Sequence, residues 1–395
     1  MNQQVTPKIT YTGIDMPAEH LFERQYALPK GMSYNSYLIA DEKTAIMDSV
    51  EAGGADRWLR QIEAATDRCP DYLVVHHMEP DHSACIMAAL DKWPSLTVVA
   101  SQKAIAMLPQ FFPGVDFTGR TLAVKEGDTL PLGHHTLRFF AAPMVHWPEV
   151  MVSYEEQEHI LFSADAFGKF GALQFDDNWI DEARRYYINI VGKYGNQVQA
   201  LLKKLALLPV SIIAPLHGPV LRGDLTPYLD LYGKWSRYEP ECRGVLVAYA
   251  SVYGGTEAAA LRLAGMLREV DAGTVAVMDL TACDRSEAVA QAFRFSAMVV
   301  AAPTYDASLF PAMHQFLHHL TLKNYRNRTV GIIENGSWAP VAARQMRAML
   351  ETLPGITFAA PTVTIHSRPD EATDEALRAL TQAVAYAQCN ILQIS

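Results

Sequence analysis

No two cysteines of this 395-residue chain are spaced as CxxC; the five stand apart at positions 69, 85, 242, 283 and 389. A rubredoxin-like or zinc-ribbon module, which needs two close cysteine pairs, is thereby excluded. An odd, scattered set without a signal pattern reads as reduced thiols in a reducing compartment. No apolar run approaches the roughly 20 residues of a membrane helix. The opening MNQQVTPKITYTG lacks a charged-then-apolar leader, so the expected location is cytoplasmic. No block of Lys/Arg relieves a net charge of −10, which argues against a nucleic-acid partner held by counterion release. Repeats and low-complexity tracts are missing too. What remains is ordinary globular composition, half hydrophobic and 19% charged. The length suits two or three domains.

The first half carries short β-type runs at 44–49 (TAIMDS), 72–77 (YLVVHH), 96–101 (LTVVAS), 137–143 (LRFFAAP), 150–154 and 160–164. The polar EEQEH at 155–159 predicts a hairpin turn. Helical patterns cover 55–66 and a longer stretch, 184–208. Two β-rich blocks with helices between them predict sheets packed face to face, helices outside. In the second half, strands at 244–250, 274–280, 297–303, 328–335 and 356–365 alternate with helices near 256–270, 286–293, 310–321, 340–352 and 370–387. Near-continuous apolar strands joined by helices predict a doubly wound parallel sheet covered on both faces. The polar segment YEPECR at 238–243 sets the expected boundary, with domains 1–243 and 244–395.

Strand 72–77 runs into HMEPDHSA, where His77, Glu79 and Asp81 are spaced by two and His82 follows at a turn. An extended segment places such residues on one face, and Pro80 favours extension at Glu79. Further candidate ligands follow apolar runs: His146, Asp165 and His217. The set divides in a chemically balanced way. One metal can take His77, Glu79 and His146; a second can take Asp81, His82 and His217; Asp165 can bridge. Two imidazoles and one carboxylate with open positions suit non-haem Fe(II), although zinc would bind the same ligand types.

HxExDH followed by His, Asp and His resembles the metallo-β-lactamase superfamily, whose hydrolytic members usually carry histidine where this chain has Glu79. The glutamate form is similar to the flavodiiron proteins, a metallo-β-lactamase-like domain followed by a flavodoxin-like one. The likeness extends through GMSYNSYLI (31–39), VHWPEVM (145–151), DAFGKFGAL (165–173) and HGP (217–219), and spans essentially the whole chain. It implies an αββα sandwich before the parallel sheet, and the same seven residues as ligands of a non-haem di-iron site. Leu216 departs from it, standing where many relatives have Ser. Asp48 reads equally as a partner behind a ligand or as a turn residue. Tyr26, Tyr34 and Trp147 line a small pocket or pack the core; Met144 and Phe167 read as core. His134 and His135 read as a hairpin turn, and His314, His318 and His319 as surface histidines.

In the second half, Ser251, Val252, Tyr253, Gly254, Gly255 and Thr256 form a Ser/Thr/Gly loop between a strand and a helix. Neither GK[ST] nor GxGxxG is present, so triphosphate and dinucleotide loops are excluded. A single phosphate monoester, such as that of FMN, suits the loop, with the helix N-terminus behind it. A tight strand-to-helix turn explains the segment about as well. Two more loops, Pro303–Thr304–Tyr305–Asp306–Ala307 and Asn335–Gly336–Ser337–Trp338, follow the third and fourth strands at the same sheet edge. Together the three resemble the FMN site of flavodoxin. Gly255 stands where related loops more often carry Asn or Ser.

The resemblance implies an oxidoreductase reducing O2 to water and/or NO to N2O, with two Fe and FMN as cofactors. It also implies a head-to-tail homodimer or dimer of dimers, and an external donor such as rubredoxin or reduced deazaflavin. A dizinc hydrolase fused to a flavodoxin module, and an electron carrier with a vestigial metal half, are the competing expectations.

Overall fold

The computed structural model describes residues 4–18, 21–175 and 178–391. The chain divides into two compact units, Met1–Gly233 and Lys234–Ser395. That division lies ahead of the expected 243/244 boundary, because the strand Cys242–Tyr249 already belongs to the second unit and draws the polar segment with it.

In the first unit, the apolar runs pair into two six-stranded sheets. The first orders Ile9–Tyr11, Tyr37–Ile39, Ala45–Met47, Tyr72–Val75, Thr97–Ser101 and Thr121–Val124, the last four mutually parallel. The second orders Leu221–Arg222, Ile212–Ala214, Ile160–Phe162, Met151–Glu155, Thr136–Ala141 and Thr129–Pro131, and is mainly antiparallel. Tyr37, Ile39, Met47, Val74 and Val99 of one sheet meet Leu137, Phe139, Met151, Ile160 and Phe162 of the other in one buried cluster. Burial of that apolar surface holds the two sheets face to face. Helix Ala55–Ala65 is amphipathic and buries Trp58 and Ile62. This is the αββα sandwich.

The predicted helix 184–208 is broken. Trp179–Tyr186 is α-helical, Tyr187–Val191 widens to a π turn, Gly192–Tyr194 tightens, and Gly195–Leu205 resumes. Two glycines within four residues, with bulky buried side chains before them, favour that local change of pitch. The turn at 155–159 forms as expected, with the Glu155 carboxylate accepting from the Gln157 and Glu158 N–H groups at 2.9 and 2.6 Å.

In the second unit, all neighbouring long strands are parallel, in the order Thr274–Asp279, Cys242–Tyr249, Phe295–Tyr305, Thr329–Asn335, then the short Thr357–Phe358 and Val363–Ile365. This is the doubly wound, flavodoxin-like order. Helices Gly255–Glu269 and Glu371–Ile391 share one core cluster with the sheet. The predicted strand 356–365 is two strands, because Pro361 between them has no N–H to give a ladder. Cys69, Cys85, Cys242 and Cys283 are free thiols; the side chain of Cys389 lies outside the described residues. Among the described residues, no helix is long and apolar enough to cross a membrane.

His134 and His135 do sit in the hairpin between Thr129–Pro131 and Thr136–Ala141. The Asp41 carboxylate accepts there from the His135 N–H and ring Nδ1, both at 2.7 Å, and from the Glu42 N–H at 2.8 Å. Burial pushes its pKa up, but those donors prevail and hold it well below the carboxylate range. Its stabilising effect is therefore present above the unfolded value of about 4 and is lost as pH falls through the lower folded value. Asp41→Asn is expected to lower the melting temperature at pH 7. Thermal melts of both proteins should converge as the pH drops below about 4.

Candidate metal centre and flavin edge

The candidate ligands leave the carboxyl ends of four strands: Tyr72–Val75, Thr136–Ala141, Ile160–Phe162 and Ile212–Ala214. His77 and Glu79 lie in extended chain, as expected. Asp81 and His82 do not: Pro80–Ser83 is one helical turn with Pro80 at its first position. The alternation argument thus holds for the first pair only. The helical turn swings Asp81 and His82 away from it, which separates the two ligand groups.

His77, Glu79, His146 and Asp165 offer atoms within 4.8 Å of one another; Asp81, His82 and His217 form a second such group. In the first, Glu79 Oε2 lies 3.3 Å from His77 Nε2 and 3.1 Å from His146 Nε2. In the second, Asp81 Oδ2 lies 3.3 Å from both His82 Nε2 and His217 Nε2. Asp165 divides its carboxylate between them. Oδ2 is 3.4 Å from His77 and 3.2 Å from His146, while Oδ1 is 3.2 Å from His82 and 3.6 Å from His217.

These spacings fit bound cations. Two ligand atoms each about 2.1 Å from one ion, at tetrahedral or octahedral angles, stand about 3.0–3.4 Å apart. Among the described residues, the buried Asp81 and Asp165 oxygens and His146 Nε2 have no hydrogen-bond partner. His82 Nε2 and His217 Nε2 face each other at 3.1 Å, a contact of two lone pairs unless a proton or a cation lies between.

The field is strongly negative. Burial opposes protonation of His77, yet Glu149, Glu79 and Asp165 outweigh it and hold its pKa well above the usual histidine range. His146 is likewise raised to about 9, against burial, by Asp165 and Glu79. Burial pushes Glu79 and Asp165 up, but the surrounding imidazoles hold both below the ordinary carboxylate range.

Supporting contacts come from several segments. Ser33, in the GMSYNSYLI run, accepts from His217 Nδ1 through its carbonyl at 2.7 Å, and its hydroxyl accepts from the Gly218 N–H at 2.6 Å. Asn35 Nδ2 donates to the Gly218 and Pro215 carbonyls at 2.7 and 2.8 Å. His217 is therefore oriented by backbone, and the apolar, buried Leu216 beside it costs no hydrogen bond. Asp48 is the turn residue of the two readings, and the side chain it holds is His76, which is not a candidate ligand. Asp48 sits at φ +56° and accepts from the His76 N–H at 2.7 Å and from the His76 ring. His76 Nε2 meets Ser153 Oγ at 2.8 Å, so it braces the strand end from behind.

Tyr34 packs 5.5 Å from the His217 ring and Trp147 5.1 Å from the His77 ring, whereas Tyr26 packs on Phe170 in the core. Phe167 is core, stacked on Tyr232 at 4.1 Å; Met144 is only half-buried. His314 and His318 are exposed and His319 is half-buried. The sequence reading missed Tyr186, whose ring lies 5.4 Å from His217, because the expected helix began near it. It also missed Glu149, which accepts from His77 Nδ1 at 2.8 Å; the signal was a carboxylate three residues past His146.

At the carboxyl edge of the second unit's sheet, the first loop behaves as expected. Gly254 takes φ +82° and caps helix Gly255–Glu269 without a side-chain acceptor, leaving the first N–H groups open to an anion. Val252, Tyr253, Tyr305 and Trp338 are exposed, Tyr253 at 93% and Trp338 at 83%, so a flat ring has apolar partners there. Pro303, Thr304 and Tyr305 are not a loop. They extend strand Phe295–Tyr305, which folds back through Asp306 and Ala307, at φ +48° and +55°, to Ser308–Leu309. Two consecutive positive φ values make a hairpin turn. The Thr304 hydroxyl accepts from the Val341 and Ala342 N–H groups at 2.9 and 3.2 Å, and so supports the start of helix Ala342–Leu350.

A fourth segment joins this edge. Asn335 exchanges hydrogen bonds with the Ser367 backbone at 3.0 and 3.1 Å and donates to Thr256 Oγ1 at 3.2 Å. Ser337 and Ser367 share a short hydroxyl contact. A Cβ on Gly255 would collide with the Ser367 carbonyl oxygen.

A family model described as "ODP family beta lactamase" matches residues 32–218. A protein named nitric oxide reductase from Moorella thermoacetica is 30% identical over 82% of this chain and 83% of its own length. The chain belongs to the flavodiiron protein family. An anaerobic nitric oxide reductase flavorubredoxin of Vibrio vulnificus is 29% identical over 85% of this chain and 70% of its own. The rubredoxin oxygen:oxidoreductase of Desulfovibrio gigas superposes with a TM-score of 0.91 at 26% identity, covering 99% of this chain and all of that one. This flavodiiron protein is an oxidoreductase, and the hydrolase expectation is left without support.

Installing the side chain common in related flavin loops should do harm here. Gly255→Asn is expected to weaken FMN binding at least tenfold, because Ser367 already fills the space. Titration of apoprotein with FMN, followed by flavin fluorescence, measures it.

Proposed function

We propose that this chain reduces O2 to water and/or NO to N2O at a non-haem di-iron site, fed by FMN. Residues 1–243 form the metal domain and 244–395 the flavin domain. His77, Glu79 and His146 hold one iron, Asp81, His82 and His217 the other, and Asp165 bridges. The observation that carries the reading is the split of the Asp165 carboxylate between two otherwise separate groups. One buried acid with each oxygen facing a different imidazole pair fits a shared ligand of two ions.

Two ferrous ions and a reduced flavin supply four electrons when bound, the number that takes O2 to two waters; two suffice to couple two NO into N2O and water. The residues do the rest. Each triad brings one terminal carboxylate, so with Asp165 three negative charges offset most of the charge of two ferrous ions. Phe22, Tyr34 and Tyr186 surround His217 with rings whose centroids lie 5.4–5.7 Å away. Such packing holds the His217 ring in place from three sides. In the second unit, the uncapped start of helix Gly255–Glu269 receives the phosphate. Residues 251–256, 303–307 and 335–338 line the flavin, with Tyr305 and Trp338 against its ring.

The names of the relatives support both gases and rubredoxin as an external donor; reduced deazaflavin is the alternative donor. The sequence pattern favours the cytoplasm, and a head-to-tail homodimer or dimer of dimers would bring each flavin to a metal site. Metal analysis with a visible spectrum tests the reading. About two iron ions and about one FMN per chain are expected; two zinc ions with esterase activity would sink it. Glu79→His is expected to lower iron occupancy and gas turnover while FMN content holds. Unchanged turnover in that variant would count against the ligand assignment.

A further inference from the structure

The two triads are matched in what they present to a metal: two imidazoles and one terminal carboxylate each, with Asp165 common to both. Any built-in difference between the metal positions must therefore come from behind the ligands. There the two sides differ.

His77 is backed by a full carboxylate. Glu149 is buried, 2% exposed, and its Oε1 accepts from His77 Nδ1 at 2.8 Å and from the Met78 N–H at 3.0 Å. Its backbone is pinned, since Ser101 Oγ donates to the Glu149 carbonyl at 2.8 Å. Its Oε2 is buried with no hydrogen-bond partner among the described residues, so no second donor drains its charge. Because Glu149 lies three residues past His146, one short segment supplies a ligand to this position and the support for another. On the opposite side, His217 Nδ1 donates to the neutral Ser33 carbonyl at 2.7 Å, and buried His82 Nδ1 has no partner among the described residues. Neither imidazole there has an acid behind it.

An imidazole that donates to a carboxylate carries more negative charge onto its metal than one that donates to a carbonyl. Added electron density favours the higher oxidation state. We infer that Glu149 is a positioning residue that makes the metal position of His77, Glu79 and His146 the easier of the two to oxidise. Removal of one electron from the reduced pair, to an added redox mediator, then leaves the ferric ion on that side and the ferrous ion with Asp81, His82 and His217.

The inference rests on the di-iron reading of the site, and the test separates the two. The FMN-bound, 57Fe-loaded protein is titrated stepwise and read by EPR and Mössbauer spectroscopy. At half oxidation, the wild type should show ferric and ferrous sites in equal amounts as a trapped mixed-valence pair. Disproportionation to diferric and diferrous protein alone would overturn the inference, whether or not any variant folds. Glu149→Gln keeps the shape and removes the charge. It is expected to lower the comproportionation constant at least tenfold, which brings the two one-electron potentials about 59 mV closer. Glu149→Asp, which keeps the charge, should fall between the two. Two bound irons with an unchanged mixed-valence yield in Glu149→Gln would overturn the role of Glu149 alone. A wild type that takes up no iron would instead overturn the functional reading.

Discussion

Everything in the first unit answers to one electrostatic demand. Four imidazoles and three carboxylates meet in a space almost closed to water, with Glu79 the most exposed side chain of the seven at 15%. Acids and imidazoles at 3.1–3.6 Å cannot all be satisfied by one another, and several of their atoms have no hydrogen-bond partner among the described residues. Buried charge left in that state costs more than most side-chain contacts return. Two cations held as proposed would make the cluster tolerable. The two packed sheets hold the ligands in place from four strand ends, where the chain can turn sharply without losing core contacts.

Much of this centre was legible because ligand chemistry is local. HMEPDHSA places four donors within six residues, and His146, Asp165 and His217 each follow an apolar run that reads as a strand. The misreadings have local causes as well. Pro80 does leave Glu79 extended, at φ −58° and ψ 140°, but it also occupies a first helical position well, and the helical turn it starts is what parts Asp81 and His82 from Glu79. Pro303 was read as the end of a strand, yet its position at the rim of the sheet leaves no ladder bond to lose. The strand therefore runs on to Tyr305 and doubles back.

What the sequence withheld is mainly contact between distant segments. His77 and Glu149 are paired by the way the two sheets stack, Asp48 and His76 by neighbouring strands of one sheet, and Ser33 and His217 by a separate two-stranded sheet, and no periodicity announces such pairs. Gly255 is the clearest case. Judged by its own loop it lacks a side chain that relatives use. Judged by the fold it is required, because the Ser367 backbone crosses where a Cβ would stand. A departure from a family pattern can thus be half of a compensated pair, and the other half lies more than a hundred residues away.

The two units solve opposite problems of exposure. At the metal centre, burial is useful: a diatomic gas needs little room, and a low dielectric magnifies the pull of each carboxylate. At the flavin edge, burial would be a fault, since a ring that accepts electrons from another molecule must be reached. The exposed Tyr253 and Trp338 then make sense as surface left for a cofactor rather than as failed core. Tight electronic control is possible only where contacts are fixed. This is why a difference as small as a carboxylate against a carbonyl behind a histidine belongs at the metals. The same difference at the exposed edge of the second sheet would be screened away.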